Sequence, residues 1–244
     1  DLVIARDARK RLTQGHLGLT FSRPVGTVRL RVAAHGGVRD LDNPIVPLVI
    51  QLDRRTAGLR LTAEGDVGRV RWAIGAEAER QRDDRRESIN DDGVPGDVLT
   101  DQVETVLSGA LFARVEIPLA PGLTASAAAR ADALGYRADP AGLTSDTRTL
   151  GAVSPSIGLA YTGATPAVSY TLFANAAGAL DAPTTTELGN RPDGLAGFDP
   201  SLEPERTWGA DAGARLTVAI PAGGTLGIDL ALFGATVEDL LIPF

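Results

Sequence analysis

YTLFANAAGALDAPTTTELGNRPDGLAGFDPSLEPER, residues 170–206, changes character halfway. Its first part continues the run Ser169-Tyr170-Thr171-Leu172-Phe173-Ala174, which is rich in residues that suit a pleated surface. The second part is polar and holds Pro183, Pro192, Pro200 and Pro204. Proline fixes φ and has no N–H, so this part reads as neither a central strand nor a helix. A connection of this length without its own periodicity is uncommon in a compact domain and is usually functional. The stretch therefore predicts a strand that runs into a long exposed loop over about 179–206.

Outward from that loop, turn signals recur along the whole chain. Short ones fall at Arg23-Pro24-Val25-Gly26, Gly65-Asp66-Val67-Gly68, Pro118-Leu119-Ala120-Pro121-Gly122, Thr162-Gly163-Ala164-Thr165-Pro166 and Pro221-Ala222-Gly223-Gly224. Gly, Pro and Asp supply the backbone angles such turns demand. Between them lie longer polar stretches at about 37–47, 83–102, 138–147 and 179–206, so short and long connections alternate along the chain. Short turns at one end and long loops at the other are the asymmetry of outer-membrane barrels. A soluble sandwich has hairpins too, but nothing in it requires all the long loops at one end.

The runs between turns alternate with period two. Leu59, Leu61 and Ala63 alternate with Arg60, Thr62 and Glu64. Trp72, Ile74, Ala76 and Ala78 alternate with Arg71, Gly75, Glu77 and Glu79. One face of Val103–Ile117 carries Leu107, Leu111 and Val115, and the other Glu104, Arg114 and Glu116. Leu226, Ile228, Leu230 and Leu232 share a face, with Asp229 on the opposite one. A helix would place apolar residues at i, i+3 and i+4 instead. The reading is all-β and antiparallel, with about ten long strands. Runs of roughly 10 to 15 residues suit a tilted crossing of a bilayer core, which takes ~9–11. Charges avoid the apolar face, where each would cost ~2–4 kcal/mol at the bilayer midplane. Phe21, Trp72, Tyr136, Tyr161, Tyr170 and Trp208 fall near run ends, where interfacial aromatics belong, although ordinary strand aromatics sit there as well.

Composition excludes several function classes. A net charge of -7 with no basic stripe disfavours nucleic acid. Zero Cys removes disulfide scaffolds and thiolate metal sites. His16 and His35 are the two histidines and belong to no ligand motif, and Asp83, Asp84, Glu87, Asp91, Asp92 and Asp97 lack calcium-loop order. No metal site or cofactor is expected. Ser108, Ser154, Ser156 and Ser169 have no triad partners by motif, and Gly194-Leu195-Ala196-Gly197 is no phosphate loop, so no enzyme is expected. The chain has no Met and opens on Asp1 without a leader pattern, which reads as an internal or processed piece.

The order aromatic strand, Ala-Pro-Thr-Thr-Thr-Glu-Leu (182–188), Asp-Pro-Ser-Leu-Glu-Pro-Glu-Arg (199–206) resembles the late barrel segment of TonB-dependent outer-membrane receptors. Further pieces are similar: Ile74–Glu77 with Gln81–Arg86, Asp101–Glu104, Gly109–Ala113, Ala129–Asp132, Val153–Tyr161 and Val237–Asp239. The resemblance spans about Leu59 to Phe244, and the first 58 residues fit by pattern. Leu180-Asp181 stands where the family has an aromatic. The resemblance implies most of the second half of a 22-stranded transmembrane barrel, with the signal peptide, plug domain and last strands lying outside residues 1–244. It also implies the bacterial outer membrane, contact with its lipid, and energised uptake of a small ligand, an iron–siderophore complex, driven by the inner-membrane TonB complex. Ligand-binding residues are expected in the extracellular loops: Arg82, Arg85 and Arg86, whose charge attracts an anionic chelate, together with Asn190 and Arg191. A passive pore or adhesive barrel is the alternative. A soluble carbohydrate-binding β-protein is a third reading, which needs the apolar faces packed on each other.

Overall fold

Ten antiparallel strands follow one another in a single sheet in sequence order, in a computed structural model that describes residues 8–191, 197–220 and 223–240. The strands are β1 Arg11–Val25, β2 Val28–Pro44, β3 Leu48–Val67, β4 Val70–Asp91 and β5 Val94–Ala120. They continue with β6 Leu123–Pro140, β7 Asp146–Ala164, β8 Val168–Asp181, β9 Glu205–Ile220 and β10 Gly224–Glu238. This is the expected up-and-down wall. One five-residue helix, α1 Thr185–Gly189, lies between β8 and β9. Pro192, Gly194–Ala196 and Pro221-Ala222, used above as loop and turn signals, lie outside the described residues.

Register sorts the residues onto two faces. Leu30, Ala63, Ile74, Ala113 and Ala129 are consecutive cross-strand partners, as are Val32, Leu61, Ala76, Leu111 and Ala131. Leu19, Leu59, Leu107, Val153, Ile157, Leu172, Leu230 and Leu232 stand on the same face and are well exposed. A face this apolar and this exposed, continuous over ten strands, fits contact with lipid rather than water. Phe21, Trp72, Tyr161 and Tyr170 flank the band near the short turns, and Trp208 lies toward the opposite rim. Tyr136 departs from the girdle expectation: it is on the other face and 4% exposed. Several aromatics stand directly opposite a glycine, Trp72 over Gly65, Phe112 over Gly75, Tyr170 over Gly163 and Trp208 over Gly178, so the ring covers the strand where no side chain exists.

The second face is polar and internally paired. Glu77 bridges Arg60 and Arg130, the latter at 2.7 Å, and Arg130 also binds Asp132 at 2.9 Å. The Arg60 guanidinium lies 5.2 Å from the centre of the Phe112 ring. Residues 182–191 and 197–204 fold onto this face, which identifies it as the barrel interior.

The connections differ from expectation at one end. Among the described residues, the one long departure from the sheet lies between β8 and β9; most of 37–47 and 83–102 and half of 138–147 are strand, with turns at 45–47, 92–93 and 141–145. Polarity there marks water on both faces rather than an end of pairing. Strands β4 and β5 run 22 and 27 residues, well past the ~9–11 needed inside lipid, and stand as a tall hairpin beyond it.

Candidate functional site

The site is the inner face of β3–β7 above the apolar band, roofed by residues 182–191 and 197–204. Thr184 caps α1: its hydroxyl accepts from the Glu187 N–H, and the Glu187 carboxylate accepts from the Thr184 N–H at 2.7 Å. This reciprocal capping box lets one helical turn form in a proline-rich segment. Leu188 then points inward, fully buried, into a small core with Tyr136, Ala138, Leu150 and Phe198. Tyr136 meets the Phe198 ring edge-on at 6.4 Å and donates from its hydroxyl to the Pro183 carbonyl at 2.9 Å.

The far end of the segment is fixed from β7. Arg148 donates to the carbonyls of Asp199 and Leu202, both at 2.6 Å, and Asp146 accepts from the Phe198 N–H at 2.6 Å. Gly197 has φ 98°, and a Cβ there would stand 2.5 Å from the Asp146 carboxylate, so this position excludes a side chain twice over. Asp199 accepts from both the hydroxyl and the N–H of Ser201, which holds its carboxyl below the usual range.

Under the roof, charges are paired at low exposure. Arg54 grips Asp83 with two bonds, 2.8 and 2.7 Å, and Gln81 adds a third at 3.1 Å. Asp83 is 1% exposed and Arg54 keeps 32% of its side chain accessible. Arg85 pairs with Glu87, lies 3.6 Å from Glu104 and donates to the Thr186 hydroxyl. Glu104, 2% exposed, also accepts from Thr185 and, at 2.7 Å, from Gln102. Two cavities meet at this partition. One of about 470 Å³ lies inward, lined by Arg54, Gln81, Asp83 and Tyr136. One of about 1000 Å³ lies toward the long-loop end, lined by Glu87, Asp101, Ser145 and Asn190. Arg85, Glu104, Thr185 and Thr186 border both.

The expected site residues are therefore divided. Arg82, Arg85 and Arg86 lie on β4 rather than in a loop, and strand alternation separates them. Arg85 faces the cavities; Arg82 and Arg86 share the outward face with Ile74, Ala76 and Ala78. Asn190 follows α1 as its C-cap and borders the larger cavity, while Arg191 donates to the Phe198 carbonyl at 3.2 Å. Arg54, Asp83, Glu104, Tyr136 and Arg148 were not anticipated. Counting parity upward from Glu77 and Glu79 reaches Asp83 and Arg85 on the inner face, a signal that was legible had the strand not been ended at residue 82.

A family model described as "TonB dependent receptor-like, beta-barrel" matches residues 11–243. No curated protein sequence matches the chain. Among solved structures, the copper transporter OprC superposes with a TM-score of 0.71 at 20% identity, over 94% of this chain and 40% of its own. The siderophore receptor PiuA of Acinetobacter baumannii gives 0.66 at 13%, over 92% and 40%. The ferric yersiniabactin uptake receptor FyuA of Yersinia pestis gives 0.65 at 15%, over 95% and 37%. At these identities the likeness is one of fold, and the chain spans about 40% of the length of such proteins.

Proposed function

The chain belongs to the TonB-dependent receptor β-barrel family, and on that footing we propose that it forms a ligand-selecting wall of a barrel that imports an iron–siderophore complex. The family places it in the outer membrane of Gram-negative bacteria, among receptors and transporters. The observation that carries the finer reading is the pair of cavities meeting at Arg85 beneath residues 182–190 and 197–198. A ligand arriving from outside enters the larger cavity first and meets Arg85 at its inner end. An anionic chelate competes there with Glu87 and Glu104 for the guanidinium, whose planar fork suits carboxylate and similar oxygen pairs. The chain has no Cys or Met, so this stretch brings no thiolate or thioether for a bare soft cation, which favours recognition through the chelator. The energy source is the inner-membrane TonB complex, engaged by segments other than this wall. Those partners and the iron chelate belong to the proposal.

The test compares substitutions on the two faces of β4 in the full-length receptor. Arg85→Gln is expected to weaken ferric-siderophore binding by about tenfold, the size of one lost charged hydrogen bond. Arg82→Gln with Arg86→Gln is expected to leave affinity unchanged. Equal losses, or none from Arg85→Gln, would remove Arg85 from the site. Ion conductance with no dependence on TonB would replace the receptor reading by the passive pore.

A further inference from the structure

Above the apolar band, the outward face of β3–β6 carries charges in two separate rows. Register places Arg55, Arg82, Thr105 and Arg137 side by side, with Arg80 one step nearer the band between Ala57 and Leu107. The next row outward holds Asp40, Asp53, Asp84, Val103 and Asp139. Arg55 thus stands directly opposite Arg82, and Asp53 directly opposite Asp84. Like charges in facing positions of an antiparallel pair are destabilising, and exchanging two residues on one strand would make both pairs favourable. Asp53, Asp84 and Asp139 each bind the arginine on their own strand, at 3.5 Å for Asp53–Arg55, 3.0 Å for Asp84–Arg82 and 2.6 Å for Asp139–Arg137. These contacts leave the three arginine side chains 69%, 46% and 53% exposed. In all three pairs the arginine is the member nearer the lipid.

We infer that this arginine row is a docking surface for the anionic phosphorylated headgroups of the surrounding outer-membrane lipid. Three observations meet there. The cations lie at the upper border of the lipid-facing band, at headgroup depth. They are gathered although mutual pairing would be better without an external anion. Arg55 and Arg82 stand on the face opposite the cavities, while Arg137 also donates to the hydroxyl of Ser145 in the turn beside the larger one, at 3.1 Å. Guanidinium groups bind phosphate oxygens in pairs, while the aspartates beyond them face the hydrated layer. The acyl chains of the same lipids then lie against Leu59, Leu107 and Leu111 below. This inference does not depend on what the receptor imports.

The full-length receptor, reconstituted in nanodiscs of equimolar phosphatidylglycerol and phosphatidylcholine and released into native mass spectrometry, tests it. The unaltered protein is expected to retain phosphatidylglycerol preferentially. The triple variant Arg55→Gln, Arg82→Gln, Arg137→Gln is expected to lose that preference by about a hundredfold. The exchange Arg82→Asp with Asp84→Arg keeps the pair within the strand and guards against a folding defect; heat-modifiable mobility should be retained while the preference falls. Inorganic phosphate added to the detergent-solubilised protein should not displace the lipid. Unchanged retention in the triple variant overturns the inference. So does displacement by inorganic phosphate, which would mark a free-anion site.

Discussion

The tall wall β3–β6 and the lower wall β7–β10 are held together differently. Strands β3 and β4 pair without interruption from Leu48↔Ile89 to Val67↔Val70. Strands β7 and β8 pair over nine positions only, Ser156↔Ala177 to Ala164↔Ser169. The ladder stops next to Pro155, whose pairing with Ala129 of β6 is intact. Proline has no N–H to give the second neighbour, so β8 parts from β7 there. Above that point the wall is joined by side chains instead: Arg148 and Asp146 of β7 hold the backbone of 198–202. On the tall side the backbone ladder sets position and ion pairs fill the inner face. On the low side, side-chain bonds to loop backbone take the place of the ladder.

Removing one partner on each side sharpens the contrast. Arg54→Ala leaves Asp83 buried without its counter-charge and with the Gln81 amide as its remaining donor; it is expected to cost about 3 kcal/mol, the low end for a broken buried pair because Arg54 is partly solvated. Urea unfolding of the folded barrel measures this, and a cost near zero would mean water reaches Asp83. Gly75→Val, on the inner face behind the apolar band, drives a side chain into the Phe112 ring and the Leu61 carbonyl. It is expected to cost about 2 kcal/mol in the same measurement, and tolerance would show that the ring swings away freely. Arg148→Ala is expected to act locally: two charged hydrogen bonds, roughly 1.5–3 kcal/mol each before water replaces them, hold a segment outside the lipid. Faster hydrogen exchange and protease cleavage across 198–204, with little change in global unfolding, would bear out the division. A global loss as large as that of Arg54→Ala would erase it. Tyr136→Phe removes the single bond to Pro183 and is expected to cost about 1 kcal/mol, seen as faster exchange near α1.

Much of this was readable in advance. The alternation at Leu59–Glu64 and Val103–Ile117 gave the strands and their apolar face, and the prolines of 183–204 marked the one long loop. Polar stretches misled at 83–102, because a strand wetted on both faces loses its apolar rhythm while keeping its ladder. That error hid the separation of Arg85 from Arg82 and Arg86, since parity was not counted through residues taken for loop.

Sequence by itself determined the wall: period-two patterning, proline and glycine punctuation, and charge kept off the apolar band are local properties that every strand carries in its own residues. Only the tertiary structure decided the site. Asp83 meets Arg54, Glu104 meets Thr185, and Arg148 meets Leu202 across 29, 81 and 54 residues of chain. Such partners are chosen by register and by the inward fold of 182–191 and 197–204, and nothing in the local pattern of either partner encodes the other.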